Sequence, residues 1–250
     1  MARVIVHGVN LYYEECGRGY PLICLPGALG SGSTDFGLVL ETWAKRFRVV
    51  SVDPRGYGQS RPPDRDFSGD FFLRDAEDVN ALAESIGCLE YFLAGWSDGA
   101  NVAVLVAAQH PARVRKLVLW GGNSDIRPDD VKGLDQTRDL SNWPRRRRLA
   151  LQAVYGDRLV ELWNSYCDGM HHLHLRGGEI CGDRLREVRC PTLVIHGEQD
   201  PLISEDRARA FQNGITGAEF HLIRGGRHNV HLTHHEEFDE VMLRFLDKTL

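Results

Sequence analysis

Short apolar segments alternate with longer helical patterns along most of this chain, and this alternation restricts the possible folds more than any other feature. Strands are predicted at residues 22–25, 49–52, 91–94, 116–120, 192–196 and 219–223. Helices are predicted near residues 36–47, 74–86, 98–110, 205–213 and 238–246. Buried strands joined by helical crossovers are typical of a mostly parallel sheet with helices on both faces. We therefore expect an α/β fold.

One insertion interrupts this alternation. Residues 123–188 contain no convincing strand, but apolar side chains recur there at the i, i+3, i+4, i+7 spacing of an amphipathic helix. These side chains are Leu159, Leu162, Trp163 and Tyr166. We therefore expect residues 1–122 and 189–250 to form the core and residues 123–188 to form a helical cap, or lid, over the mouth of a site. At the N-terminus, residues 4–6 and 11–15 predict an antiparallel hairpin.

The overall composition excludes several classes of protein. With 250 residues, 42% hydrophobic and 26% charged, the chain has the size and balance of one globular domain with an insertion. A net charge of −5 argues against a broad nucleic-acid surface. No apolar run approaches the ~20 residues that a membrane span needs. We therefore expect neither nucleic acid nor a membrane as a partner.

Cysteine usage and the start of the chain bear on its compartment. The six cysteines show neither CxxC pairs nor the density of a disulfide-stapled domain, so we expect free thiols in a reducing compartment. The first residues predict a strand rather than a signal peptide. We therefore expect an intracellular protein, cytoplasmic or mitochondrial.

The sharpest local motif is a G-x-S-x-G pattern formed by Gly95, Ser97 and Gly99. It lies where a predicted strand gives way to a predicted helix. A serine on such a tight turn has a cramped backbone, and glycines two residues away on each side relieve the crowding. The helix N-terminus also directs free N–H groups at the serine. The pattern predicts Ser97 as a nucleophile, with an ordinary glycine-bearing turn as the alternative.

Two polar loops follow the last two predicted strands. Asp200 follows strand 192–196 and His228 follows strand 219–223. A serine hydroxyl needs a base to take its proton, and the base needs a carboxylate to orient it. Because loops after parallel strands meet at one edge of the sheet, we predict a Ser97, His228 and Asp200 triad. Glu198 remains an alternative acid.

An oxyanion formed during attack by the serine needs two N–H donors. One is predicted to be the backbone N–H of Asp98, which follows the nucleophile. The other is predicted in the glycine-bearing loop at residues 26–30, from Ala28 or Leu29. The sequence leaves both of these residues open.

Clusters of histidine and arginine elsewhere in the chain are interpreted mainly as surface residues. The histidines in two clusters are His171, His172, His174, His231, His234 and His235. No HExxH or comparable ligand spacing occurs among them, so we interpret them as surface residues and expect neither a metal nor another cofactor. The four arginines at residues 145–148 favour a solvated helix face, with recognition of an anionic group or surface as the alternative. Trp96 is interpreted as packing.

Several longer runs resemble the α/β-hydrolase superfamily over the whole chain. They are residues 25–37 (LPGALGSGSTDFG), 53–67 (DPRGYGQSRPPDRDF), 95–99 (GWSDG), 197–200 (GEQD) and 228–232 (HNVHL). More narrowly, they are similar to the valacyclovir hydrolase branch of that superfamily. The resemblance implies an α/β-hydrolase fold and hydrolysis of α-amino acid esters, including amino acid ester prodrugs of nucleosides. It also implies that Asp98 receives the ammonium group of the substrate.

Elementary electrostatics gives Asp98 a second interpretation. A carboxylate about 4 Å from a developing oxyanion raises its energy by on the order of 4 kcal/mol at an effective dielectric constant near 20. A substrate ammonium group beside the ester would reverse this effect by pairing with Asp98. The alternative is a carboxylate that points to solvent at the start of a helix.

These observations together predict a serine hydrolase that cleaves carboxylic esters through an acyl-enzyme and prefers α-amino acid esters. We expect it to act as a monomer on a small-molecule ester. A carbon–carbon bond hydrolase, a perhydrolase and a non-catalytic ligand receptor on the same fold remain alternatives.

Overall fold

The computed structural model describes residues 2–248, and within them the strands form one eight-stranded sheet. The strands are β1 (Ala2–Val6), β2 (Val9–Cys16), β3 (Tyr20–Leu25), β4 (Phe47–Val52), β5 (Tyr91–Trp96), β6 (Val114–Trp120), β7 (Thr192–Gly197) and β8 (Glu219–Ile223). Their spatial order is β1-β2-β4-β3-β5-β6-β7-β8. Among the described strands, β2 alone runs in the direction opposite to all the others. The predicted mostly parallel sheet and N-terminal hairpin are confirmed.

Helices cover both faces of this sheet. The helices are α1 (Gly32–Phe36), α2 (Leu40–Trp43), α3 (Phe71–Ser85), α4 (Asp98–Gln109), α5 (Pro128–Gln136), α6 (Arg145–Tyr155), α7 (Leu159–Leu175), α8 (Glu205–Gly214), α9 (Val230–Thr233) and α10 (His235–Asp247). One buried apolar cluster joins the sheet to α3, α4 and α8, and a second joins it to α1, α2 and α10. Consecutive strand residues such as Leu22 and Ile23 belong to different clusters, because side chains alternate across a strand.

The single helix predicted near residues 36–47 is wrong. Two short helices, α1 and α2, occupy this region, and β4 begins at Phe47. Ser31 and Thr34 form a capping box that starts α1 before the predicted segment. Gly37 then follows the last residue of α1, and glycine has low helix propensity. The capping box and Gly37 therefore divide into two short helices the segment that the apolar pattern predicted as one helix.

Residues 123–188, which we call the cap, are mostly helical. They contain α5, α6, α7 and short 3-10 helices at Leu140–Asn142, Gly156–Arg158 and Gly182–Glu187. The apolar side chains that predicted an amphipathic helix lie in α7, where Leu159, Trp163 and Tyr166 are buried. The hydroxyl of Tyr155 donates to the carbonyl of Leu29 at 2.7 Å and thereby joins the cap to the loop after β3.

Two features concern the chain as a whole. Each of the six cysteines has a free thiol, and all but Cys16 are buried. Within residues 2–248, no helix combines the length and the apolar character required for a membrane crossing.

Candidate active site

Ser97 lies on a sharp turn between β5 and α4. Its backbone, with φ 55° and ψ −124°, occupies a region that residues with a side chain rarely adopt. The flanking glycines are required for steric reasons. A Cβ atom on Gly95 would lie 2.2 Å from the carbonyl oxygen of Gly99, and one on Gly99 would lie 2.1 Å from that of Leu25. The G-x-S-x-G pattern thus encodes a strained turn that exposes the serine hydroxyl.

The loops after β7 and β8 bring the two other predicted side chains to Ser97. The Nε2 atom of His228 lies 3.2 Å from Ser97 Oγ, and its Nδ1 atom lies 2.9 Å from Asp200 Oδ2. An imidazole held in this way can accept the serine proton at Nε2 while Nδ1–H donates to the carboxylate. Glu198, the alternative acid, instead accepts a hydrogen bond from the backbone N–H of Gly225 at 2.9 Å.

The carboxylate of Asp200 accepts several hydrogen bonds. Its side chain is 1% exposed, and Oδ1 accepts the backbone N–H groups of Leu202 at 2.8 Å and Ile203 at 3.1 Å. Burial acts to raise the pKa of Asp200, but the hydrogen bond and charge of His228, together with the two N–H groups, lower it below its ordinary value. Asp200 is therefore ionised at neutral pH and able to orient the imidazole.

Trp96 does more than the packing that the sequence suggested. Its Nε1–H donates to the carbonyl oxygen of His228 at 2.9 Å, and the two rings lie 5.4 Å apart. The indole therefore holds the loop that carries the imidazole. The sequence signal that could have revealed this role is a buried indole next to the nucleophile, because a buried Trp N–H usually finds an acceptor.

The prediction that His231 lies on the surface is wrong. The residue is fully buried, with Nδ1 accepting from Trp120 Nε1 at 3.0 Å and Nε2 lying 3.0 Å from the carbonyl oxygen of Asp35. Burial lowers its pKa to about 3, so the ring is neutral at physiological pH. The short helix α9 turns this side chain toward the sheet, where it fixes the backbone of Asp35. The other clustered histidines are exposed or partly exposed.

The loop after β3 packs directly against the nucleophile. A Cβ atom on Gly27 would lie 3.0 Å from Ser97 Cβ and 3.5 Å from its Oγ. The N–H of Gly27 donates to Asp35 Oδ2 at 3.0 Å, and burial raises the pKa of Asp35 to about 6. Ala28 and Leu29 follow Gly27, and Leu29 has a left-handed φ of 59°. The two candidates for the second oxyanion donor therefore lie in the loop that packs against Ser97.

Asp98 directs its carboxylate toward the cap, and the residue is partly exposed. The hydroxyl of Tyr166, on α7, donates to Asp98 Oδ1 at 3.1 Å. Within residues 2–248, the structure gives no hydrogen-bond donor to the other carboxylate oxygen. Burial raises the pKa of Asp98 to about 6, although the Tyr166 hydrogen bond and the positive charge of Arg65 act to lower it.

The positive charge of Arg65 is already shared with another carboxylate. Its guanidinium makes two hydrogen bonds to Asp75, of 2.7 and 2.6 Å, and lies 4.5 Å from the ring centre of Tyr57. Asp98 therefore faces a buried ion pair that is neutral overall. Arg65 is not predicted from the sequence to belong to the site, and Tyr166 is predicted only as part of an apolar stripe.

Groups of three or more His, Cys, Asp or Glu side chains suited to hold a metal ion were not found among residues 2–248. The site consists of a strained serine, a supported imidazole, a fixed loop of backbone N–H groups and an inward-facing carboxylate.

Comparison with known proteins assigns the family. The alpha/beta hydrolase family matches the chain over residues 5–241. The chain belongs to the α/β-hydrolase family. A solved structure of the meta-cleavage product hydrolase CumD from Pseudomonas fluorescens IP01 shares the fold, with a TM-score of 0.83, 19% identity, and coverage of 99% of this chain and 98% of that one.

Within this family the chain is similar to the serine hydrolase BPHL, the valacyclovir hydrolase, as the sequence motifs predicted. The Homo sapiens protein is 42% identical over 249 residues, which are 98% of this chain and 86% of the relative, and the Mus musculus protein gives the same values. A 2-hydroxy-6-oxononadienedioate/2-hydroxy-6-oxononatrienedioate hydrolase from Pseudomonas putida is 29% identical, covering 95% of this chain and 92% of the relative. The chain is therefore a serine hydrolase.

Proposed function

We propose that this serine hydrolase cleaves carboxylic esters through an acyl-enzyme on Ser97 and prefers esters of α-amino acids. The observation that carries the preference is the position of Asp98. Its carboxylate is next to the nucleophile in sequence, turned inward, and hydrogen-bonded on one oxygen only. A site for neutral esters gains nothing from such a group.

The proposed reaction follows from the arrangement of the triad. Ser97 Oγ attacks the ester carbonyl while His228 Nε2 takes its proton, and Asp200 stabilises the imidazolium that forms. The N–H of Asp98, with that of Ala28 or Leu29, stabilises the negative oxygen of the tetrahedral intermediate. The intermediate collapses, His228 gives its proton to the departing alcohol, and the acyl group remains on Ser97. Water activated by His228 then releases the acid.

The proposed selectivity follows from the unfavourable charge of Asp98. Burial raises the pKa of this carboxyl to about 6, so ionisation at neutral pH has a cost. The same charge repels the oxyanion that forms beside it. An ammonium group on the α-carbon of the acyl part offsets both effects, because it pairs with the free oxygen of Asp98. We expect this pairing to strengthen in the transition state, where the negative charge develops.

The space around Asp98 supports an ammonium ligand. A cavity of about 30 Å³ is lined by residues that include Gly27, Tyr57, Arg65, Asp75 and Asp98. A volume of this order accommodates a group about the size of a water molecule. An ammonium group has this size and can donate three hydrogen bonds.

The test of the proposed function compares two benzyl esters, of L-valine and of isovaleric acid, which differ by the α-amino group alone. At pH 7 we expect kcat/KM for the valine ester to exceed that for the isovalerate ester by about 10², equivalent to roughly 2.7 kcal/mol. A fluorophosphonate probe should label the wild-type protein and leave Ser97→Ala unlabelled. Equal kcat/KM values for the two esters would remove the amino-ester preference. Absence of both labelling and ester turnover would remove the esterase proposal altogether.

A further inference from the structure

The four arginines at residues 145–148 do not form one fully solvated face, so that prediction is wrong for two of them. Arg145 and Arg146 are exposed, whereas Arg147 and Arg148 are partly buried. A guanidinium N–H of Arg147 donates to the carbonyl oxygen of Ala28 at 3.3 Å. The side chain thus reaches from α6 of the cap to the loop that packs against the nucleophile.

The other contacts of Arg147 are with two tryptophan rings. Its guanidinium carbon lies 6.0 Å from the ring centre of Trp96 and 5.5 Å from that of Trp143. Trp96 precedes Ser97 and contacts His228, as described above. The guanidinium therefore lies beside the residue that precedes Ser97 and contacts His228, whereas Asp98 contacts α7 through Tyr166.

Most of the hydrogen-bonding capacity of Arg147 is unused. A guanidinium has five N–H donors, and among residues 2–248 the structure gives this one a single acceptor, the carbonyl oxygen of Ala28. None of its nitrogens is among the buried, unpartnered atoms of the described chain, so the remaining donors reach solvent. No carboxylate in residues 2–248 lies within 4 Å of it.

Asp35 is an acidic group on which the charge of Arg147 acts. Burial raises the pKa of Asp35, and the positive charge of Arg147 acts to lower it. The Asp35 carboxylate is already used by the N–H of Gly27 at 3.0 Å and the hydroxyl of Thr34 at 3.0 Å. Arg147 is therefore free to bind a second anion without losing an ion pair.

We propose that Arg147 binds an anionic group, phosphate or carboxylate, carried by the alcohol part of the substrate. This inference rests on the proposed ester hydrolysis and adds a preference for the leaving group. The favoured substrate then has an ammonium group on its acyl part, held by Asp98, and a negative charge on its alcohol part, held by Arg147. A planar guanidinium with free donors beside aromatic rings suits phosphate and carboxylate groups.

A purely structural role for Arg147 makes a different prediction. If the side chain only ties α6 to the loop at Ala28 and offsets the charge of Asp35, its replacement should affect all esters alike. Binding of an anionic leaving group instead requires an effect confined to substrates with a negative alcohol part. Matched substrate pairs therefore separate the two roles.

The experiment uses two pairs of valine esters. The phosphate pair is 2′(3′)-O-valyl-AMP and 2′(3′)-O-valyl-adenosine, and the carboxylate pair is the valine ester of glycolic acid and that of glycolamide. Each is measured with wild type, with Arg147→Gln, which keeps a donor for Ala28, and with Arg146→Gln, which removes the same charge from an exposed neighbour. We expect wild type to favour at least one charged substrate over its neutral partner by about tenfold in kcat/KM.

Arg147→Gln should abolish this preference, and Arg146→Gln should retain it. The pair that shows the preference identifies the anion as phosphate, carboxylate or both. Equal kcat/KM values within both pairs for wild type, or an equal loss for all four esters in Arg147→Gln, would overturn the inference. Neither outcome affects the proposed amino-ester function, which fails separately if valyl-adenosine and isovaleryl-adenosine are cleaved equally well.

Discussion

Two carboxylates near Ser97 occupy opposite environments. Asp200 accepts two backbone N–H groups and the imidazole of His228, and its pKa lies below the ordinary value because these partners outweigh the effect of burial. Asp98 accepts one hydrogen bond, from Tyr166, and burial raises its pKa to about 6. The first carboxylate has a complete set of partners from the protein, whereas the second has an open oxygen.

This difference indicates two different roles for a carboxylate near the nucleophile. A carboxylate with all its partners in place fixes the geometry of a neighbour and has little to offer a ligand. A carboxylate with an incomplete set of partners has a higher energy in its charged form, and a cationic ligand releases that energy on binding. We therefore propose that Asp200 orients the base and that Asp98 recognises the substrate.

The largest expected effect is that of Asp200→Asn. The amide cannot hold the imidazole in the tautomer that accepts the serine proton, so we expect kcat to fall by about 10⁴. The loss should be equal for the valine and isovalerate esters, measured by steady-state kinetics at pH 7. A loss of kcat confined to the valine ester would contradict the proposal that Asp200 orients the base and Asp98 alone recognises the substrate.

The pH dependence should differ between the two esters. Hydrolysis of the valine ester requires an ionised Asp98, whose pKa is about 6, so its kcat/KM should show a loss below pH 6 that comes from protonation of this carboxylate. The isovalerate ester does not depend on that charge and should lack this additional loss. At one pH unit below the Asp98 pKa, the additional loss is about tenfold. Profiles of kcat/KM from pH 5 to 9 measure both limbs.

The alkaline limb provides the control for this profile. The valine ester should lose activity as its α-amino group, which ordinarily has a pKa of about 7.7–8.0, becomes neutral. The isovalerate ester has no such group and should retain its activity there. Superimposable profiles for the two esters would contradict an ion pair with Asp98.

Tyr166→Phe removes only the hydroxyl that donates to Asp98. Because this hydrogen bond lowers the pKa of Asp98, its loss should move the acid limb for the valine ester to higher pH. We expect kcat/KM for that ester at pH 6 to fall by about tenfold, the equivalent of a typical hydrogen bond to a charged group. The isovalerate ester should change less than twofold.

Tyr155→Phe is the matched control for this variant. Its hydroxyl also joins the cap to the core but bonds the backbone of Leu29 and Gly58 rather than Asp98. Any effect of Tyr155→Phe should be equal for the two esters and should leave the acid limb in place. If Tyr166→Phe and Tyr155→Phe gave the same response, the role of Tyr166 would be only to hold the cap on the core.

The smallest expected effect is on stability. The folded-state pKa of Asp98 is raised, so its charge opposes folding at pH 7, and Asp98→Asn should raise Tm. The folded-state pKa of Asp200 is lowered, so its charge favours folding above its unfolded pKa, and Asp200→Asn should lower Tm. Shifts of a few degrees in opposite directions are expected in calorimetry at pH 7, since 1 kcal/mol corresponds to about 2–4 °C for a chain of this size. Shifts of the same sign would contradict the assigned environments.

The sheet and the turn at Ser97 could be predicted because their causes are local. Apolar runs report burial of a strand on both faces, and glycines at two fixed positions report a steric requirement of the turn. The prediction of one helix near residues 36–47 was wrong because a capping box at Ser31 and the glycine at position 37 outweighed the apolar pattern. The capping residues and the glycine are visible in the sequence, but the prediction gave more weight to the apolar pattern.

The orientation of polar side chains could not be predicted in the same way. Arginine is a residue type that is usually exposed and histidine is intermediate, and only the packing of distant segments turns Arg147 and His231 inward. The partner of Asp98, Tyr166, lies 68 positions away in the cap. Such contacts depend on how the cap docks, and this information is absent from local spacing and composition.

The central claim is that the charge of Asp98 selects the ammonium group of the substrate. Asp98→Asn keeps the size and the hydrogen bond to Tyr166 but removes the charge, so it tests the claim directly. We expect kcat/KM for L-valine benzyl ester to fall by about 10²–10³, in the range for loss of a buried ion pair, while that for benzyl isovalerate stays within a few-fold or rises. If Asp98→Asn retains the wild-type ratio of the two kcat/KM values, the claim is contradicted.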